Sequence, residues 1–573
     1  MDDELRDRIE REAEIGALYN AVKHESDAQV GAIMGPLMGE NPEFREHGDA
    51  IPGVVAPVVS RVNAMSADER MNRLAELAPE RVAELEAEEE ADERTLPDLP
   101  NAEEGAVRMR VAPNPNGPWH IGHARMAAVV GTYAERYNGS FICRFDDTDP
   151  ETKRPDLDAY DAILGAISYL GFEPDDVVIA SDRLEIYYEH ARRLIELGGA
   201  YTCSLPGEEF SELKNAGKPS PNRDKPVQEV HEEFDAMVAG EYDPGEMVLR
   251  VKTDIEHPNP ALRDWVAFRL IDTPHPREEA ADYRCWPMLD FQSGIDDHLT
   301  GVTHIIRGID LQDSAKRQQF VYDYFDWEYP EVLHWGHVNV DAYDVAMSTS
   351  TIAERIAAGE FDGWDDPRVP TVASLKRRGI RGEALVAAMT ELGMSTSNVD
   401  LSMSSIYAEN RELIDETADR AFFVRDSSEF AAVELPLSGG PDIGTPPVHP
   451  DFDARGKREL PVREGVMVEQ SDLPAEGERV WLKGFGCVRY REDRFEYVDD
   501  PLSVTRDDDV AIVHWVPAEA NIETRMRTPD GDVTGYAEGG VSEYEPDSML
   551  QFERVGFVRV DAQTPCVTYF AHR

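Results

Sequence analysis

The chain has 573 residues, room for about three or four domains, and 114 acidic against 57 basic residues give it a net charge of −57. It has no 18-residue apolar run to span a membrane, its charged start M-D-D-E-L-R-D-R-I-E-R-E is no secretory signal, and its five scattered cysteines (Cys143, Cys203, Cys285, Cys487, Cys566) suggest no disulfide framework and no structural zinc or other protein-held metal. A reducing cytoplasm is the expected location, and an acidic surplus spread along the chain, with only 10 lysines among the 57 basic residues, points to high salt, where the screening length at 1 M is about 3 Å.

Residues 1–104 are expected to form a helical extension. Leu5, Ile9 and Ile15 through Val22 have helical spacing, and Met71 to Glu90 reads as a helix ending in an Ala/Glu-rich run. Residues 1–100 hold 25 acidic and 10 basic residues, which argues against an RNA-gripping basic arm and for solvated helices. Thr95 to Gly105, with Pro97 and Pro100, reads as a linker.

The stretch Val111 to Arg125, V-A-P-N-P-N-G-P-W-H-I-G-H-A-R, reads as a strand end, a Pro/Gly turn and a helix start. Val107, Met109 and Val111 alternate as in a short strand. His120 and His123 are three apart and share one face of the first helical turn, where free N–H groups favour an anion. Ser140 to Asp146 (S-F-I-C-R-F-D) reads as a buried strand ending in acidic residues, with Asp146 opening D-D-T-D-P. A carboxylate at the C-terminal end of such a strand faces the ligand crevice of an α/β sheet. Asp156–Leu170 and Arg183–Leu197 read as amphipathic helices.

These strings resemble the P-x-P-x-G-x-x-H-I-G-H-A and R-F-D-D-T-[ND]-P motifs of class I aminoacyl-tRNA synthetases, in the glutamyl/glutaminyl branch. The resemblance implies a multidomain chain with an α/β Rossmann-type catalytic core, halved into 105–185 and 289–350. It further implies ATP, with Mg²⁺ as its substrate complex, bound by Pro113, Pro115, Gly117, His120, Gly122 and His123, the two histidines being catalytic. Asp146 would hold the ammonium of the amino acid. Residues 186–288, which by themselves show only mixed α+β character, would be the inserted α+β domain that holds the tRNA acceptor end.

Cys285 to Asp296 (C-W-P-M-L-D-F-Q-S-G-I-D) is read as the resumption of the sheet. D-H-L-T-G-V-T-H-I-I-R-G-I-D-L follows. It is similar to the glutamyl form of the family segment, in which Arg307 accompanies glutamate as substrate, and Arg110 matches a second substrate-binding arginine. Two arginines and one aspartate suit the three charges of a dicarboxylic amino acid. Leu333–Val340 is read as one strand. The loop Val345–Thr351 (V-A-M-S-T-S-T) stands where the family carries K-M-S-K-S. Here Ala346 and Thr349 replace both lysines, so Met347, Ser348, Thr349 and Ser350 are left to contact ATP through hydroxyls and backbone N–H groups, Ser348 and Ser350 as catalytic residues. Arg355 or Mg²⁺ would supply charge.

Residues 351–425 read as a helical connector: Thr371–Lys376, Arg381–Gly393 and Ser405–Ala421. Residues 426–573 change to short alternating strands with Gly/Pro/Asp turns. In the family, a C-terminal all-β region of two barrels reading the anticodon marks the archaeal type of glutamyl enzyme and the glutaminyl enzymes. The reading is a monomeric glutamate–tRNA ligase of the archaeal type, with L-glutamate, ATP and tRNA(Glu) as partners, and no membrane. That type often charges tRNA(Gln) too. A glutaminyl enzyme, opposed by Arg307, and a binding-only tRNA paralogue, favoured by the lysine-free loop, are the rivals.

Overall fold

The computed structural model describes residues 3–23, 28–40, 44, 51–79, 81–82, 96–340, 343, 347–427, 429–501 and 510–573. The chain divides into two compact units, Met1–Pro97 and Asp98–Arg573.

The first unit contains helices α1 (Asp3–Lys23), α2 (Val30–Glu40), α3 (Ile51–Asn63) and α4 (Ala67–Leu77). Ile9, Ala13, Ala17, Leu18 and Ala21 of α1 are buried, and the alanines let a neighbouring helix approach closely. In α3, Ile51, Val54, Val55, Val58, Val59 and Val62 form one buried stripe, with Pro57 on the exposed side. A Ser66/Glu69 capping box starts α4. The helix expected over Met71–Glu90 stops at Leu77, before Pro79, which cannot continue it. Most of the Ala/Glu-rich run lies outside the described residues.

The second unit begins with parallel strands β1 (Arg108–Val111), β2 (Ser140–Phe145) and β3 (Asp176–Ile179), in the order β1-β2-β3. Helix α5 (Ile121–Arg136) crosses from β1 to β2, burying Ile121, Ala124, Ala127 and Ala128. Asp156 caps α6 (Leu157–Tyr169) by accepting from Asp158 N–H at 3.0 Å. After α7 (Leu184–Glu196) the chain builds an antiparallel sheet of β4 (Ala200–Cys203), β5 (Val248–Val251), β6 (Val266–Leu270) and β7 (Cys285–Pro287), with α8 (Gly207–Asn215) and α9 (Val227–Val238) between β4 and β5.

Cys285–Asp296 does not rejoin the parallel sheet. Its first three residues close the antiparallel sheet, and the rest is α10 (Leu289–Leu299). Phe291 and Ile295, four apart, are buried with Gln292, Ser293 and Asp296. The apolar run is a buried helix that periodicity alone does not distinguish from a buried strand. The parallel pair β8 (His304–Gly308) and β9 (Glu331–Trp335) follows, with α11 (Gln312–Phe325) between them. Thr303 N–H donates to Arg108 O at 2.8 Å, so the entry to β8 is bonded to β1.

The single strand expected over Leu333–Val340 is broken at Gly336. A methyl there would lie 2.0 Å from Ser397 O. Beyond it, β10 (Val338–Val340) pairs with β11 (Val399–Leu401) instead. Helices α12 (Thr349–Ala357), α13 (Val372–Arg378), α14 (Gly382–Glu391) and α15 (Met403–Ile414) follow. The helix expected through Ala421 ends at Ile414. Asp419–Ala421 and Phe423–Arg425 are strands of a seven-stranded sheet completed by strands from residues 521–572. The aromatic run A-F-F-V-R is a better strand than helix. Residues 432–517 contribute two-, three- and five-stranded sheets.

Candidate active site

A cleft of about 790 Å³ opens at the C-terminal ends of β1, β2 and β8. Arg110, Pro113, Gly117, His120, Gly122, His123, Asp146, Arg307, Met347, Ser348, Thr349 and Ser350 all line it. Pro115 does not. It is buried, and its carbonyl accepts from Asp156 N–H at 2.8 Å, so it ties the turn to the start of α6. Ala346 lies outside the described residues.

The floor of the cleft is a cluster of buried charges. Arg110, Asp146 and Arg307 are 6, 9 and 7% exposed. The hub is Asp297, to which the sequence reading gave no role. Arg110 donates to it from Nε and Nη2 (3.1 and 3.4 Å), Arg144 from Nη1 (2.6 Å), and Arg307 Nη2 lies 3.8 Å away. Burial alone would raise the Asp297 carboxyl, but Arg110, Arg144 and Arg307 bring it down to about 2. Arg144 also donates to both oxygens of Asp146 (2.7 and 3.4 Å), and Gln292 Nε2 adds a third bond at 3.0 Å. Three guanidiniums thus face two carboxylates. Arg307 carries the shortfall: Nη1 reaches Gln318 Oε1 at 3.3 Å, Nε is buried without a partner, and burial and then Arg110 push its pKa below the usual guanidinium range. A further carboxylate would relieve it.

Of the next residues of D-D-T-D-P, Asp147 serves the fold, while Thr148 and Asp149 also line the cleft. Asp147 accepts from Ser181 N–H and Oγ, both at 2.7 Å, and from Tyr160 OH at 2.6 Å. Asp149 Oδ1 accepts from Thr152 N–H at 2.9 Å, making the capped turn.

His120 is the N-cap residue of α5, and His123 stacks on it with ring centroids 3.6 Å apart. Burial lowers the first to about 4 and the second to about 3, His120 adding to the effect on His123. Burial therefore favours the neutral form of both rings at pH 7. Each Nδ1 is buried without a partner, which leaves the Nε2 edge for the cleft. The helix N-terminus is only partly open to an anion, because Ile121 N–H is taken by Pro370 O at 2.9 Å and His123 N–H by His120 O at 3.0 Å.

Gly117 has φ +153°, and a methyl there would lie 2.4 Å from Thr349 Cγ2 and 3.4 Å from the Trp364 ring. The two loops therefore touch, and Thr349, 9% exposed, is a packing contact between them. Ser348 caps α12 by accepting from Thr351 N–H at 3.5 Å, and its hydroxyl lies 3.1 Å from that of Ser350. Arg355 does not turn to the cleft. It donates from Nε to Glu360 Oε2 at 2.7 Å and lies over the Phe361 ring at 4.6 Å. Lys153 also lines the cleft, as does Arg269, which pairs with Asp149 at 3.1 Å.

The chain is similar to known proteins over its whole length. Residues 106–416 match the family "tRNA synthetases class I (E and Q), catalytic domain", and 418–505 and 512–561 match two families named "tRNA synthetases class I (E and Q), anti-codon binding domain". The glutamate–tRNA ligase of Haloarcula marismortui is 69% identical over 579 residues, covering 100% of both chains. That of Natronomonas pharaonis is 66% identical over 575 residues with the same coverage. That of Methanosarcina acetivorans is 44% identical over 566 residues, 97% of this chain and 98% of its own. Among solved structures, a glutamate tRNA ligase from Elizabethkingia meningosepticum aligns with a TM-score of 0.38 and 19% identity over 55% of this chain and 70% of that one.

Proposed function

The chain belongs to the class I tRNA synthetases of the E and Q type, and from that membership we propose how its cleft joins glutamate to tRNA. The activity is that of a glutamate–tRNA ligase. The α-carboxylate of glutamate attacks the α-phosphorus of ATP, the bond to pyrophosphate breaks, and glutamyl-adenylate forms. A terminal ribose hydroxyl of the tRNA then attacks the acyl carbon, and AMP leaves with the electron pair of the broken bond. No covalent enzyme intermediate is needed, and position and electrostatics carry the rate.

In this reading the charged floor takes the amino acid. Asp146 meets the α-ammonium, while Arg110 and Arg307 meet carboxylates. The observation that carries the glutamate reading is Arg307, buried in the cleft floor with Nε unpartnered. The phosphates of ATP, with Mg²⁺, lie against the Pro113–Gly122 loop, the Nε2 edges of His120 and His123, and the Met347–Ser350 loop. The imidazoles donate hydrogen bonds to oxygens that gain negative charge in the transition state.

The domains follow the same reading. Residues 105–185 and 289–350 are the halves of a Rossmann-type core, its strands running β3-β2-β1-β8-β9. Residues 186–288 take the tRNA acceptor end, 351–425 connect, 426–573 form anticodon-reading barrels, and 1–104 are an extension. In this reading the protein works as a cytoplasmic monomer on tRNA(Glu); the archaeal type of the family often charges tRNA(Gln) as well.

Removing one partner of a buried charge pair costs roughly 3–5 kcal/mol. Arg307→Cys should therefore lower kcat/KM for glutamate by about two to three and a half decades. Glutamine, with a neutral amide, should lose far less. Paired aminoacylation assays on one tRNA pool read both numbers. Equal losses would mean that Arg307 serves the common α-carboxylate or only the fold.

A further inference from the structure

Three arginines bridge the segments behind the catalytic loops to the C-terminal seven-stranded sheet: Arg527, Arg378, and Arg377, which pairs with Asp365 and donates from Nη2 to Asp561 Oδ2 at 3.0 Å. Arg527, on the strand Asn521–Thr528, donates from Nη2 to Asp362 Oδ2 at 2.6 Å, and the same nitrogen lies 3.7 Å from Asp366 Oδ2. Its Nη1 donates to Tyr569 OH at 3.1 Å. Asp366 closes the turn that Arg527 grips, accepting from Asp362 N–H and Arg368 N–H, each at 3.0 Å. The turn carries Trp364. The Trp364 ring abuts Gly117, and its carbonyl accepts from the Thr371 hydroxyl. Beside Thr371, Pro370 O accepts from Ile121 N–H at 2.9 Å, and Val372 N–H donates to Trp119 O at 3.0 Å. His120 is thus bracketed on both sides by backbone bonds to this segment.

The second brace is Arg378, at the end of α13. It donates to Phe570 O (3.0 Å) and Ala571 O (2.5 Å) of the last strand, and to Tyr343 OH (3.0 Å), four residues ahead of Met347.

We propose that Arg527 is a positioning residue of the ligase reaction: from the C-terminal sheet it holds the Asp362–Arg368 turn, and the turn sets the Gly117–His123 loop against Thr349. The inference rests on the ligase reading above. Arg527 touches neither the cleft nor the charged floor, so it acts through Trp364 and Thr371. The same strand lies in the region matching the anticodon-binding family. Ion pairs of Arg527 with Asp362 and of Arg377 with Asp365 and Asp561 therefore join the RNA-reading sheet to the turn behind the phosphate loops, and RNA bound to that sheet is mechanically connected to the site of chemistry.

The test uses Arg527→Gln, Asp362→Asn and the double variant of the full chain. Glutamate-dependent ATP–pyrophosphate exchange is measured with tRNA in multi-molar KCl, per active site by titration. A small misplacement of reacting groups costs up to about a hundredfold, so each single variant should lose about ten- to a hundredfold in kcat. KM for glutamate, set by the distant floor, should stay within about twofold. The double variant should be no worse than either single one, since both break the same contact. Tyr343→Phe, which removes one hydroxyl of the second brace, should show a smaller loss of the same kind. Asp362 is two-thirds exposed, so Asp362→Asn carries the test even where Arg527→Gln fails to fold. A kcat within about twofold of wild type in the single variants, or losses that multiply in the double, would overturn the proposal. A wild-type protein with no glutamate-dependent exchange would instead overturn the ligase reading.

Discussion

His120 and His123 illustrate what burial does to a motif. As bare residue types, two imidazoles at a helix start suggest positive charge. Stacked and buried, lowered to about 4 and about 3, they favour the neutral form. Each His→Ala change should lower glutamate activation by about 10²–10³, read by single-turnover adenylate formation; unchanged rates would remove both from the chemistry. The shift also has a sign for stability. The unfolded imidazoles titrate near 6.5 and the folded ones lower, so between these values the unfolded state binds more protons. Stability from this source is complete above about 6.5 and falls as pH drops toward 4. At pH 5 the cost is roughly 2 kcal/mol per histidine. In urea titrations at fixed KCl, a His120→Gln/His123→Gln variant should lose less stability than wild type between pH 7 and pH 5. An identical slope would place the pH sensitivity elsewhere.

At the scale of elements, the second loop and a distant hairpin are both decided by turn chemistry. Ser348 lies in the cleft wall and also caps α12, so Ser348→Ala should weaken ATP use and cost about 1 kcal/mol of stability. In the hairpin joining Gly486–Arg491 to Arg494–Tyr497, Glu492 and Asp493 have φ of 51° and 56°, a backbone that an Asn-Gly pair adopts with less strain. The double substitution Glu492→Asn with Asp493→Gly should raise stability by about 1 kcal/mol, seen as a higher urea midpoint. A drop would show that the Tyr490 OH–Asp493 bond of 2.9 Å outweighs backbone strain. This hairpin was not legible in the sequence, because its turn carries neither Asn nor Gly. The short alternating strands of residues 426–573 were legible as a class, as were the start of α5 and the strand before Asp146. The break at Gly336 was not, since it answers to Ser397, about sixty residues away. Asp297 was visible as a letter in D-D-H, but its place among three arginines depends on β1, β2, β8 and α10 meeting, which no local pattern announces. Arg355 was a reasonable candidate for charge until Glu360 was seen to occupy it.

For the whole molecule, net charge and site point in different directions. A surface at −57 repels the RNA that the chain must hold, while the floor of its cleft has a local surplus of guanidinium. High salt reconciles the two. Screening mutes the long-range repulsion, and the buried pairs around Asp297, out of contact with ions, keep their strength. The protein should lose structure as KCl falls from multi-molar to about 0.1 M, and a melting temperature constant over that range would refute the reading of the acidic surface. The most direct test of the central claim is ATP–pyrophosphate exchange by the wild-type chain in multi-molar KCl, with glutamate or glutamine, with and without tRNA. The account predicts exchange with glutamate in the presence of tRNA, and little with glutamine. Exchange driven equally by glutamine, or none with either amino acid, would contradict it.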